Sequence, residues 1–144
     1  MRVFGAAILV LAVAVGAVAC GGSDDAVSVD DPWGRPSPSS ADNAAFYMTL
    51  IGGSSDDVLT SAGSARCTMT ELHETSMTDG TMSMAPVPSG IAVPANGTVK
   101  LEPGGYHVMC MGVKEPLSVG ESVDVELTFS SGETATVSAE IRDE

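Results

Sequence analysis

The chain has 144 residues and a net charge of −13, with 19 aspartates and glutamates against six lysines and arginines. That balance excludes binding to nucleic acid or anionic lipid through basic patches, because both need clustered cations. The length suffices for one domain with a packed core, and for most of the carboxylates solubility is the simplest role.

Residues 1–19 read as an export signal. Arg2 supplies a short basic start, Val3 to Ala19 is uncharged, and the run ends in A-V-A-C-G-G-S-D-D. A membrane-spanning helix needs about 20 apolar residues, whereas small residues before a break in hydrophobicity mark a cleaved leader. The cysteine at the break resembles a bacterial lipobox, with Ala17 where leucine is more usual. Cleavage before Cys20 would free its thiol and amine for acylation, and several acyl chains anchor a protein stably. The expected location is the periplasm or the outer face of the cytoplasmic membrane, held by lipid, with simple secretion as the alternative. Residues 20–26 form a polar tether and 27–144 one domain, and the charge of the mature chain from Cys20 onward becomes −14 once Arg2 is removed.

Trp33, Gly34, Arg35, Pro36 and Pro38 lead through a serine-rich turn, with Trp33 read as a core plug. Ala44 to Ile51 is an apolar segment of β-formers. Short strands follow at Val58 to Ser61, Cys67 to Thr75, Thr81 to Val87, Thr98 to Glu102 and Tyr106 to Val113. The clearest alternation comes late, with Val123, Val125, Leu127 and Phe129 on one side, then Ala135, Val137, Ala139 and Ile141, joined by a turn at Ser131-Gly132. No stretch after residue 20 carries a helical apolar period over three turns. The pattern predicts an all-β antiparallel sandwich.

Six of the eight methionines lie between Met69 and Met111, and both histidines, His73 and His107, fall in the same stretch. Thioether sulfur is soft and imidazole borderline, so two of each favour Cu(I) over Zn(II), Mg(II) or Ca(II). Asp79-Gly80 is the dipeptide of a type I′ turn. A turn there sets Thr78 opposite Thr81, Met77 opposite Met82 and Thr75 opposite Met84, which puts His73, Met77, Met82 and Met84 on one strand face. His107 and Met109 share a face by the same rule. The expected metal set is His73, Met84, His107 and Met109, with Met77 and Met82 as auxiliaries. Met48 and Met69 are expected to fill the core. Glu71 and Glu74 flank His73 and are read as an exposed strand face, the alternative being that they tune it.

These residues carry a family resemblance. His73, ten residues, Met84, twenty-two residues, His107, one residue, Met109 resembles the H-x10-M-x21-H-x-M signature of the periplasmic PCuAC-type copper(I) chaperones, with one extra residue in the second gap, placed within Ile91 to Thr98. D-P-W-G-R (31–35), A-A-F-Y-M-T-L (44–50), L-E-P-G-G-Y-H-V-M (101–109) and V-E-L-T-F (125–129) resemble other landmarks of that family. The resemblance implies a cupredoxin-like Greek-key sandwich. It also implies delivery of Cu(I) toward the CuA subunit of cytochrome c oxidase, directly or through a thiol-bearing assembly factor. Alternatives are a copper-buffering or scavenging lipoprotein without a dedicated client, and a structural sandwich whose His and Met are core.

Cys20 is assigned to lipid, leaving Cys67 and Cys110. A blue-copper centre needs a thiolate with two histidines, yet no histidine precedes Cys67 and none follows Cys110, against the usual cupredoxin order. A disulfide between them suits an exported chain, although strict alternation puts Cys67 on the His73 side and Cys110 opposite His107, so that a bulge is expected. No hydrolase, zincin or C-x-x-C motif occurs, so the chain is not expected to be an enzyme.

Overall fold

The computed structural model describes residues 25–37 and 40–143; the expected leader, Cys20, the tether as far as residue 24, Pro38 and Ser39 lie outside them. The chain runs β1 (Ser28–Ser37), β2 (Ser40–Ile51), β3 (Asp57–Gly63), β4 (Cys67–Thr78), β5 (Thr81–Pro86), β6 (Ile91–Val93), β7 (Thr98–Leu101), β8 (Tyr106–Val113), β9 (Ser122–Phe129) and β10 (Thr134–Ile141). Strict alternation forms what it predicts: β9 and β10 pair from Thr134–Thr128 to Glu140–Ser122. Val123, Val125, Leu127 and Phe129 point inward from β9.

The strands hydrogen-bond in the order β5-β4-β8-β7-β2-β1-β10-β9-β3-β6, and β2 also pairs with β8. One buried cluster takes Phe46, Leu50, Leu72 and Val108 from the first half of that order. It takes Leu59, Ile91, Val125, Leu127 and Ile141 from the second, so the sheet folds over itself as a sandwich. Burying a side chain of this size contributes about 1.5–3 kcal/mol. Consecutive strands β3 and β4 lie beside β9 and β8 respectively, the crossover a Greek key requires. Two pairings depart from the antiparallel pattern, β1 with β10 and β7 with β8.

Two strands escape the sequence pattern. β6 is three residues long, with only Ile91 and Val93 buried, too short for a period to register. β1 contains Pro32 and Pro36, which ordinarily argue against a strand; here its pairing with β2 shifts register between Asp30 and Trp33 and again between Pro36 and Ser37. A proline cannot donate to the ladder and is tolerated at such irregularities. Gly34 in that strand is required by close approach, since a Cβ there would come within 2.5 Å of the Phe46 ring.

Two packing expectations need correction. Trp33 is half-buried and stacks on Tyr47, ring centroids 4.6 Å apart, outside the sandwich core. Met48 is buried as expected, but Met69 is 51% exposed.

Cys67 and Cys110 form a disulfide with Cα atoms 5.5 Å apart. The register of β4 on β8 runs from Cys67–Val113 to Glu74–Tyr106 with no slip, so a shift in pairing is not what brings them together. The change of side comes from the backbone. Thr68 and Met69 are both exposed between buried Cys67 and Leu72, and Gly112, against Thr68, has a φ of 65°. Only glycine adopts that conformation at little cost.

Candidate metal centre

Asp79 and Gly80 have φ of 52° and 78°, the positive values a type I′ turn demands. The hairpin pairs Thr78 with Thr81, Met77 with Met82 and Thr75 with Met84, and places His73 opposite Pro86. On the other side of β4, His73 pairs with His107 and Glu71 with Met109. Met109 in turn faces Ala45, which faces Arg35, while Tyr47 faces Trp33. Because residues directly opposite share a face, all of these except the Thr78–Thr81 pair stand on one surface spread over β5, β4, β8, β2 and β1. The alternate residues, Leu72, Val108 and Phe46, enter the core. The candidate site therefore lies on the outer face of the sandwich.

A cavity of about 310 Å³ opens there, lined among others by Arg35, Tyr47, Met82, Met84, His107 and Met109. His107 and Met109 form a buried floor, 2% and 8% exposed, whereas Met84 and Met82 are 57% and 62% exposed. His73 does not line the cavity; it stands beside it, its ring 5.7 Å from that of His107 and edge-on. Met77 pairs with Met82 at 69% exposure and also lies outside the lining.

The histidines are held differently. His107 Nδ1 is 3.2 Å from the Gly105 carbonyl oxygen, which can only accept, so Nδ1 donates and the Nε2 lone pair is left buried with no partner. Burial holds the His107 pKa below its ordinary value; the Gly105 bond opposes this, and the neighbouring His73 adds to it. The imidazole is thus kept neutral, the form a metal takes up. His73 Nε2 is 2.9 Å from Glu71 Oε2, and its Nδ1 is buried without a partner. A buried ring nitrogen without a hydrogen bond is costly, and here both histidines carry one. Among the described residues no group of three or more His, Cys, Asp and Glu side chains could hold a metal ion. The further donors beside the histidines at this face are methionine sulfurs, which suit a soft ion.

Tyr47, Arg35 and Trp33 were not anticipated as parts of the site. Tyr47 stands 6.2 Å from His107, ring to ring, with the Arg35 guanidinium 5.7 Å from its centroid and the Trp33 ring packed against it at 4.6 Å. Alternation along A-F-Y-M puts Tyr47 opposite in sense to buried Phe46, but only the β2–β8 register shows that its face is that of His107. Glu71, for which an exposed face or a tuning contact was expected, shows both: its side chain is partly exposed and its carboxylate meets His73 Nε2.

Residues 27–141 match the family described as "Putative lipoprotein LpqE-like". "Putative lipoprotein Lxx21020" of Leifsonia xyli is 36% identical over 119 residues, 83% of this chain and 71% of that protein. The Cu(I) form of DR1885 from Deinococcus radiodurans, solved in solution, is 32% identical with a TM-score of 0.64, covering 81% of this chain and 77% of that one. The copper-bound PCuAC domain from PmoF2 superposes with a TM-score of 0.66 at 21% identity, covering 82% and 93%. The ten-stranded sandwich shares its fold with the PCuAC domain from PmoF2. The chain belongs to the LpqE-like lipoprotein family.

Proposed function

We propose that this protein is an exported, lipid-anchored carrier of Cu(I), not an enzyme, and that it passes copper toward the CuA site of cytochrome c oxidase, directly or through a thiol-bearing assembly factor. The observation that carries the reading is the His107 Nε2 lone pair, buried without a partner in a cavity that also collects Met109, Met84 and Met82. A structural histidine would have that nitrogen satisfied, and a core methionine would not be 57% exposed as Met84 is. The copper-bound forms of related domains support the same cargo, and the lipoprotein descriptions of the family and its relative support attachment through Cys20.

The ligand set is His73, Met84, His107 and Met109. His107 and Met109 hold the ion from the buried floor, and Met84 closes the site from the exposed hairpin, with Met82 beside it. Release follows from that asymmetry. An acceptor thiolate reaches the ion from the hairpin side and displaces a neutral thioether, with no protein proton to move. Methionine also withstands an oxidising compartment in which cysteine ligands would pair as a disulfide.

Titration of the mature domain against a chromophoric Cu(I) chelator at neutral pH is expected to show one tight Cu(I) per domain and at most weak Zn(II). No competition for Cu(I) would refute the reading. For the client, two equivalents of the loaded domain mixed with an apo CuA subunit are expected to transfer two Cu(I), the CuA absorption appearing only after one-electron oxidation of the filled site to its mixed-valence state. Copper that never leaves the domain would favour a buffering role.

A further inference from the structure

We propose that Glu71 is a positioning residue that fixes His73 in the tautomer with its proton on Nε2, so that the two histidines offer different nitrogens to the cargo, His73 through Nδ1 and His107 through Nε2. The inference rests on the copper reading above and adds to it the atoms that bind and the residue that selects them.

An ionised carboxylate has no proton to donate. The 2.9 Å contact between Glu71 Oε2 and His73 Nε2 therefore requires the imidazole to be the donor there, which leaves the lone pair of the neutral ring on Nδ1. That nitrogen is buried with no partner of its own. In His107 the arrangement is reversed, with the Gly105 carbonyl engaging Nδ1 and Nε2 left over. The strand register explains how both can serve one ion. His73 and His107 are direct partners across β4 and β8, as are Glu71 and Met109 one alternate position along. The carboxylate is thus set beside its histidine by the same pleat that sets Met109 beside His107.

The arrangement has an electrostatic consequence. Two imidazoles and two thioethers leave the charge of a monovalent ion uncompensated, and Glu71 places a negative charge one hydrogen bond away from a ligand. Such a contact orients the ring and raises its basicity. A charge-assisted bond of this kind must break before Nε2 could bind metal instead.

With only two histidines in the chain, long-range ¹H–¹⁵N correlation spectra of the ¹⁵N-labelled apo domain read both tautomers without copper. The expected result is His73 with its proton on Nε2 and His107 with its proton on Nδ1. On adding Cu(I), which is diamagnetic, the His73 Nδ1 and His107 Nε2 resonances should shift while the other two nitrogens keep their protons. Glu71→Gln retains an oxygen acceptor and should keep the tautomer and near-parental affinity. Glu71→Ala should mix the His73 tautomers and weaken Cu(I) by about tenfold or more, whereas Glu74→Ala should change neither. His73 protonated on Nδ1 in the apo domain, a copper shift at its Nε2, or a Glu71→Ala variant with parental spectra and affinity would each overturn the proposal. A parent that takes up no Cu(I) while showing the assigned tautomers would overturn the copper reading and, with it, the role assigned to Glu71.

Discussion

Met109→Leu separates ligation from packing. Met109 is 8% exposed on the floor of the cavity, whereas Met84 is 57% exposed and has Met82, on the same face and lining the same cavity, two residues away. Leucine approximates the volume of methionine, so the fold should lose less than about 1.5 kcal/mol. Losing a residue that only supports a ligand costs metal affinity about 10–100-fold, so loss of a buried ligand with no nearby substitute belongs at the upper end or beyond. Met109→Leu is therefore expected to weaken Cu(I) by about 100-fold or more, equivalent to about 2.8 kcal/mol at 1.4 kcal/mol per factor of ten. Met84→Leu should cost about tenfold or less, because Met82 can take the vacated position. The assay is competition with a chromophoric Cu(I) chelator, run beside thermal melting of each apo variant. Parental affinity in Met109→Leu would refute the ligand set. A collapsed apo fold would show that its sulfur matters only as core.

The remaining predictions follow from the same geometry. Because the folded His107 pKa is depressed, the unfolded chain takes up a proton near its ordinary value of about 6.5 while the folded chain does not. This contribution to stability is complete above that value and is lost as pH falls through the depressed one. The apo domain should thus lose more melting temperature than His107→Leu when pH is lowered from about 7.5 to about 5.5, and parallel losses would refute the assignment. The disulfide closes a loop with a sequence separation of 43, worth about 4 kcal/mol on the chain-entropy account. The Cys67→Ala/Cys110→Ala double variant should lose stability of that order in denaturant titration, and a change below about 1 kcal/mol would contradict it. Trp33 is the sole tryptophan and reaches His107 through Tyr47. One equivalent of Cu(I) should therefore alter its emission, and unchanged emission would place the ion elsewhere.

The sequence by itself determined the fold class, the hairpin and the donor chemistry, because each is written in local rules. Alternation of period two specified β9 and β10, Asp79-Gly80 specified the turn and hence the Met77–Met82 and Thr75–Met84 pairs, and two histidines among clustered methionines supplied the soft donors from which the proposed ligand set is drawn. Only the tertiary structure decided what depends on contacts between distant strands. The register of β4, β8 and β2 put the His–Met face on the outside of the sandwich, made Met109 buried and Met84 exposed, brought Tyr47 and Arg35 to the cavity and left His73 at its edge. β1 is a strand because its proline-bearing kinks are absorbed by register shifts against β2, which no local propensity encodes. The disulfide likewise joins residues that strict alternation sends to opposite faces, the change of side being accommodated by the backbone at Gly112. Glu71 shows the division at one residue. Its spacing from His73 was visible in the chain, but whether its carboxylate faced water or the imidazole was settled by the orientation of two side chains on a folded surface.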